Sequence, residues 1–156
     1  MNHILRRRLT RRFFSSPSHH EALTALADRL SPQVDFTTNS YELERHGKGE
    51  GYHPWLHRPE MVATPRTTAQ VQAIIQYCME HEIPIIPFGA GTSVEGHIAA
   101  LRGGLSLDMS LFQDMALPDM TGDALPDPVA RVGAGVTRKA LNRALRETVG
   151  GSNSMR

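Results

Sequence analysis

Apolar residues recur along the chain at two spacings, one helical and one extended, and together they sketch an α+β fold. From His19 onward, Leu23, Leu26, Ala27 and Leu30 stand at helical spacing, and Ser31-Pro32 closes the run. Val34-Asp35-Phe36 suits a brief extended piece, and Met61-Val62-Ala63-Thr64 predicts a short strand ended by Pro65. Thr67-Thr68-Ala69-Gln70 has the form of a capping box, in which a hydroxyl and an amide satisfy the free N–H groups at a helix start. Val71, Ile74, Ile75, Cys78 and Met79 follow at i, i+3, i+4, i+7 and i+8, which predicts one buried stripe on a helix stopping near His81. Ile83-Pro84-Ile85-Ile86 then predicts a second strand, so that strand, helix and strand make a crossover unit. Farther on, Leu105-Ser106-Leu107-Asp108-Met109 alternates as a strand would, and Val129-Ala130-Arg131-Val132 predicts another. Thr137 is placed to cap a last helix that shows Leu141, Ala144 and Leu145 on its apolar face and ends near Thr148. Between these elements lie two polar stretches, residues 41–59 and the turn-rich residues 117–128, both expected as exposed connections.

Length and composition narrow the class. The 156 residues give room for one domain with a modest core, and no apolar run approaches the roughly 18 residues needed to span a bilayer. The single cysteine, Cys78, excludes an internal disulfide framework, and its place on the helical stripe predicts a structural thiol. The net charge of +1 hides an asymmetry: residues 1–20 hold five arginines and no acid, and residues 21–156 hold 12 basic and 16 acidic groups. So mildly acidic a body gives no electrostatic case for nucleic acid. The first 18 residues are arginine-rich, serine-rich and acid-free, with Leu5, Leu9 and Phe13 on one helical stripe, the features of an organelle transit peptide. Arg12-Phe13-Phe14-Ser15 resembles a mitochondrial processing site, so residues 1–18 are expected to be a mitochondrial leader, with the matrix or intermembrane space as destination. A basic tail or nucleic-acid arm is the competing reading.

The stretch richest in chemistry is Pro87-Phe88-Gly89-Ala90-Gly91-Thr92-Ser93-Val94-Glu95-Gly96-His97. Small residues let a backbone approach a ligand and turn successive N–H groups inward, which suits the oxygens of a phosphate or pyrophosphate. An ordinary glycine-rich turn after a strand would look similar. The loop is no Rossmann turn, since Val94 stands where a third glycine is needed, and no Walker loop, since it lacks Gly-Lys-Ser/Thr. A second candidate, Gly133-Ala134-Gly135-Val136, lies between a predicted strand and helix and could serve the same ligand. His46, His53 and His57 invite a metal hypothesis, but Pro54 interrupts a shared face and no acid is spaced to complete a site, so no metal is expected and a surface loop with incidental histidines is. Tyr41 and Trp55 in that loop are expected to pack.

Four segments in order, 65–71, 87–97, 103–108 and 132–139, resemble the start of an FAD-linked oxidase of the vanillyl-alcohol oxidase type, with the p-cresol methylhydroxylase (PCMH) fold. Within it the branch most similar is that of the mitochondrial D-lactate dehydrogenases (cytochrome), and the likeness covers roughly residues 34–148. The resemblance implies a PCMH-type FAD-binding domain over residues 19–148: a small strand–helix–strand lobe and the start of a second lobe, incomplete as it stands. It implies that Gly89, Ala90, Gly91, Thr92 and Ser93 hold the FAD pyrophosphate, with Gly96 and His97 nearby and Gly133, Gly135 and Val136 on the other side of the flavin. Relatives that bind flavin covalently through this loop carry a histidine where Thr92 aligns, so the resemblance implies noncovalent FAD.

The activity it implies is oxidation of a small D-2-hydroxyacid by hydride transfer to FAD, with electrons passed to an acceptor such as cytochrome c. Sister activities of the same superfamily are the alternatives: D-2-hydroxyglutarate or glycolate dehydrogenase, or alkyl-glycerone-phosphate synthase. So is a truncated, inactive nucleotide-binding fragment, because residues 149–156 depart from the family pattern and no residue has a claim to be the catalytic base. These residues alone are accordingly expected to be inactive.

Overall fold

The computed structural model describes residues 19–50, 57–117 and 129–151. Its elements in order are α1 (His20–Leu30), β1 (Asp35–Thr37), α2 (Ser40–Gly47), β2 (Met61–Thr64), α3 (Thr68–Glu80), β3 (Ile85–Phe88), β4 (Leu105–Asp108), β5 (Met115–Ala116), β6 (Arg131–Val132) and α4 (Arg138–Gly151). The main sheet runs β1-β2-β4-β3, with β1 antiparallel and the other three parallel. A separate two-stranded ribbon pairs β5 with β6.

The crossover from β2 through α3 to β3 is present as expected, but β4 fills the gap between its two strands. That insertion makes β4, expected from its alternation as a strand, the central one, whereas the strand expected over 129–132 shortens to β6, Arg131–Val132. All four residues of β4, the polar Ser106 and Asp108 included, are buried, because the central strand is covered on both sides. On one side Met61, Ala63, Leu105 and Leu107 pack with Leu23 and Leu26 of α1 and with Ile74, Tyr77 and Cys78 of α3. The other side carries a smaller cluster of Ile86, Phe88, Ile98 and Ala100.

Local chemistry sets the helix ends. Thr67 Oγ1 accepts from Gln70 N at 3.3 Å and Gln70 Oε1 accepts from Thr67 N at 3.2 Å, the reciprocal pair expected from the sequence. The Gln70 amide also donates to the Gln33 carbonyl at 2.8 Å, tying α3 to the chain entering β1. Thr137 Oγ1 accepts from Ala140 N at 3.2 Å and so caps α4, whose Leu141, Ala144 and Leu145 are half-buried. The helix continues to Gly151, beyond the expected stop near Thr148.

Three expectations about packing need correction. Ile75 and Met79 do not join the buried stripe of α3; they are exposed, and Tyr77 takes their place beside Ile74 and Cys78. The helix meets the sheet along a narrower arc than the run of apolar residues suggests, centred on Ile74 and Cys78 at i and i+4. Tyr41 is 72% exposed rather than packed. The polar stretch expected as a loop begins with α2, capped by Asn39, whose side chain accepts from Tyr41 N at 2.9 Å. His53, Trp55, residues 1–18 with the expected leader, and most of residues 117–128 lie outside the described residues.

Candidate functional site

The parallel strands β2, β3 and β4 all point their carboxyl ends toward one edge, where ligands of α/β units gather. The glycine loop leaves that edge directly after Phe88. It surrounds an open cleft of about 500 Å³ lined by Pro87, Gly89, Ala90, Gly91, Thr92, Ser93, Val94, Glu95, His97 and Ile98. Gly91 has φ +72°, a conformation that L side chains rarely adopt, and a Cβ there would lie 2.9 Å from Cζ of Phe88. Gly89 differs: a Cβ there would meet nothing within 4 Å.

The loop is braced from outside. Ser93 O accepts from Glu50 N at 3.1 Å, which ties the loop to the segment following α2. Inside it, Ser93 Oγ accepts from Glu95 N at 3.2 Å and lies 3.0 Å from His97 Nδ1, so that hydroxyl and that imidazole hold the loop's own turn. Among the described residues, nothing accepts from the N–H groups of Ala90, Gly91, Thr92 and Ser93. Four donors with no acceptor among the described residues, set around an open cleft, form the kind of cradle that oxygen-rich anions occupy. These residues fit a diphosphate.

The second glycine segment is built differently. Gly133 N donates to Asp114 O at 2.8 Å and Gly135 N to Phe112 O at 2.9 Å. A Cβ at Gly133 would fall against the Phe112 carbonyl, and one at Gly135 against the carbonyls of Met109 and Ser110. Close backbone approach to residues 109–114 therefore accounts for both glycines, and their N–H groups are already used. Gly133, Gly135 and Val136 do not line the cleft of the first loop.

Sequence reasoning missed what lies beneath the first loop. His46 of α2 is 1% exposed, with Nδ1 donating to the Glu42 carbonyl at 2.8 Å and Nε2 3.1 Å from Oδ2 of Asp108. It is no surface histidine. Its ring centre lies 4.0 Å from that of Phe88. Burial by itself would raise the Asp108 carboxyl, but hydrogen bonds from His46 and Ser110 and the charge on His46 outweigh it and hold the carboxyl below its ordinary value. Arg45 adds Nη2 at 3.4 Å from the same oxygen. Arg45 and Lys48 also line an adjoining cleft of about 320 Å³ that shares Ala90 and Gly91 with the loop. No periodic signal could reveal this cluster, because its partners lie 62 positions apart. Among the described residues no group of three or more His, Cys, Asp or Glu comes together as a metal site.

Residues 59–152 match the FAD binding domain family, and the chain belongs to it. It is 31% identical to the probable mitochondrial D-lactate dehydrogenase of Danio rerio over 140 residues, 89% of this chain and 27% of that protein. It is 39% identical to the mitochondrial D-lactate dehydrogenase [cytochrome] of Arabidopsis thaliana over 91 residues, 58% of this chain and 15% of that protein. The chain thus spans about a quarter or less of the length of these relatives. The structure of p-cresol methylhydroxylase with substrate bound superposes with a TM-score of 0.62 at 22% identity, covering 83% of this chain and 24% of that one. The fold is that of a PCMH-type FAD-binding domain, as the sequence resemblance implied.

Proposed function

We propose that this chain is the FAD-holding portion of a mitochondrial D-2-hydroxyacid dehydrogenase that acts on D-lactate and passes electrons to cytochrome c. The observation that carries this reading is the row of N–H groups from Ala90 to Ser93, without an acceptor among the described residues, around an open cleft. The likeness to D-lactate dehydrogenases supports the choice of substrate and acceptor. In this reading Gly89, Ala90, Gly91, Thr92 and Ser93 hold the pyrophosphate, Gly96 and His97 fix the far side of the loop, and Gly133, Gly135 and Val136 flank the flavin. Bound FAD supplies the hydride acceptor; the residues of this chain bind it, orient it and exclude water around its phosphates. Thr92 has no ring nitrogen to bond the flavin, so the cofactor is held noncovalently. Residues 1–18 act as the import leader and residues 19–148 as part of the PCMH-type domain.

The experiment is an FAD titration of the purified full-length enzyme of which this chain is proposed to be the FAD-holding portion, followed by reduction of an artificial electron acceptor with D-lactate, glycolate and D-2-hydroxyglutarate in parallel. Acid precipitation is expected to release a yellow supernatant. Gly91→Val is expected to abolish flavin content, since valine must sit at positive φ with its side chain against the Phe88 ring. Full occupancy in that variant would overturn the loop assignment, and a preference for glycolate over D-lactate would overturn the substrate.

A further inference from the structure

Phe88 and Asp108 stand side by side in register at the carboxyl ends of β3 and β4. His46 lies over both, its ring centre 4.0 Å from that of Phe88 and its Nε2 3.1 Å from Asp108 Oδ2. The Arg45 guanidinium carbon sits 5.5 Å from the centre of the same Phe88 ring. A Cβ on Gly91 would in turn lie 2.9 Å from Cζ at the edge of that ring. The Phe88 ring is therefore wedged between a buried imidazole and the backbone of the glycine loop. Packing alone does not call for a histidine here: an aliphatic side chain could fill such a position without the cost of desolvating an imidazole and a carboxylate together. What the pair adds is direction. Nδ1 is fixed to the Glu42 carbonyl and Nε2 to Asp108, so the plane of the ring is set from both sides.

We propose that His46, oriented by Asp108, is a positioning residue that fixes the glycine loop through Phe88 and so sets how tightly the Ala90–Ser93 N–H groups hold an anionic cofactor. This rests on the FAD reading above. The four donors must converge on one small ligand, and groups held loosely by their support lose much of their binding power. With the Phe88 ring free to tilt, Gly91 gains room on its crowded side and the donors spread.

The test uses the purified protein as wild type, His46→Leu, His46→Gln, Phe88→Leu and Leu23→Ala. The last is a control that opens the core under α1, away from the loop. FAD affinity is read by flavin fluorescence at a temperature where circular dichroism finds every variant folded. His46→Leu and Phe88→Leu are each expected to weaken FAD by about 10-fold or more, and their double variant no further than either alone. His46→Gln, which keeps a donor toward Asp108, is expected to recover part of the loss. Leu23→Ala is expected to bind as wild type despite a lower melting temperature. Wild-type affinity in His46→Leu overturns the proposal, and so does an equal loss in Leu23→Ala. If His46→Leu does not fold, Phe88→Leu decides by the same criterion. A second readout needs no cofactor: amide resonances of Ala90 to Ser93 in ligand-free protein should shift in the His46 variants and not in Leu23→Ala. Absence of FAD binding by wild type would overturn the FAD reading, and these resonances would then decide on His46 alone, unmoved peaks counting against it.

Discussion

Asp108 is a carboxylate that the sequence presents as the polar partner in an alternating strand, yet its side chain is only 5% exposed. It is stable there because its oxygens are shared out: Oδ1 accepts from Ser110 N at 2.9 Å, and Oδ2 faces His46 and Arg45. Because these contacts hold its carboxyl below the ordinary value, Asp108 favours the folded state above the unfolded-state pKa of about 3.9. That contribution is lost as pH falls through the lower folded value. Asp108→Asn, which cannot ionise, is expected to melt below wild type near neutral pH, with the gap closing as pH drops below about 4. Thermal melts of both proteins from pH 7 to pH 3 check this. A gap that stays constant down to pH 3 would mean that the charge of Asp108 contributes nothing. The position also shows where legibility ends at this scale. Gly91 could be singled out from residue type alone, because positive φ and close approach have a chemical signature. His46 could not, since its role depends on which strand end folds back beneath it.

Elements were more legible than their faces. The capping box at Thr67 and the strand candidate before Pro65 follow from local chemistry, and the structure repeats both. Element order alone likewise sets the glycine loop at a carboxyl end, since it follows β3 directly. What the pattern could not give was sheet order. Nothing local says that β4 inserts between β2 and β3, and that insertion buries Ser106 and Asp108 and brings Asp108 beside Phe88. The exposed Ile75 and Met79 illustrate the same limit, since the width of a buried arc depends on the partner surface. The helix start itself is testable. Thr67→Ala removes the hydroxyl that accepts from Gln70 N and is expected to cost about 1 kcal/mol, read as a lower denaturation midpoint at unchanged slope. Gln70→Ala is expected to cost at least as much, because Gln70 also bonds Arg66 N at 2.7 Å and the Gln33 carbonyl. A Gln70→Ala variant as stable as wild type would show that the box and its tether to β1 carry no net free energy.

At the scale of the whole molecule, the sharpest division is between the acid-free, arginine-rich first 18 residues and an acidic body. The fold takes hold at once after the proposed leader. His19 N donates to Glu60 Oε2 at 2.9 Å, Glu60 N donates to Gly104 O at 2.8 Å, and Leu23 and Leu26 then enter the main core. The start of α1 is thereby pinned to the entrance of β2 and to the turn before β4. Cleavage near Ser15 would spare every one of these contacts, whereas cleavage past His19 would cut the anchor and leave the amino end of α1 untied. Two outcomes are expected of a truncation that begins at Ser15. Its melting temperature should match that of the full chain within about 2 °C, less than the shift that a loss of about 1 kcal/mol produces in a domain of this size. It should also fail to reach mitochondria in cells, whereas residues 1–18 fused to a fluorescent protein should arrive there, and the same fusion with its five arginines changed to glutamine should remain in the cytosol. A truncation starting at Glu21 separates address from anchor: it should lose import and melt lower as well, because the His19–Glu60 bond is gone. If the Ser15 truncation melted as low as the Glu21 one, the first residues would belong to the fold and the leader reading would be overturned.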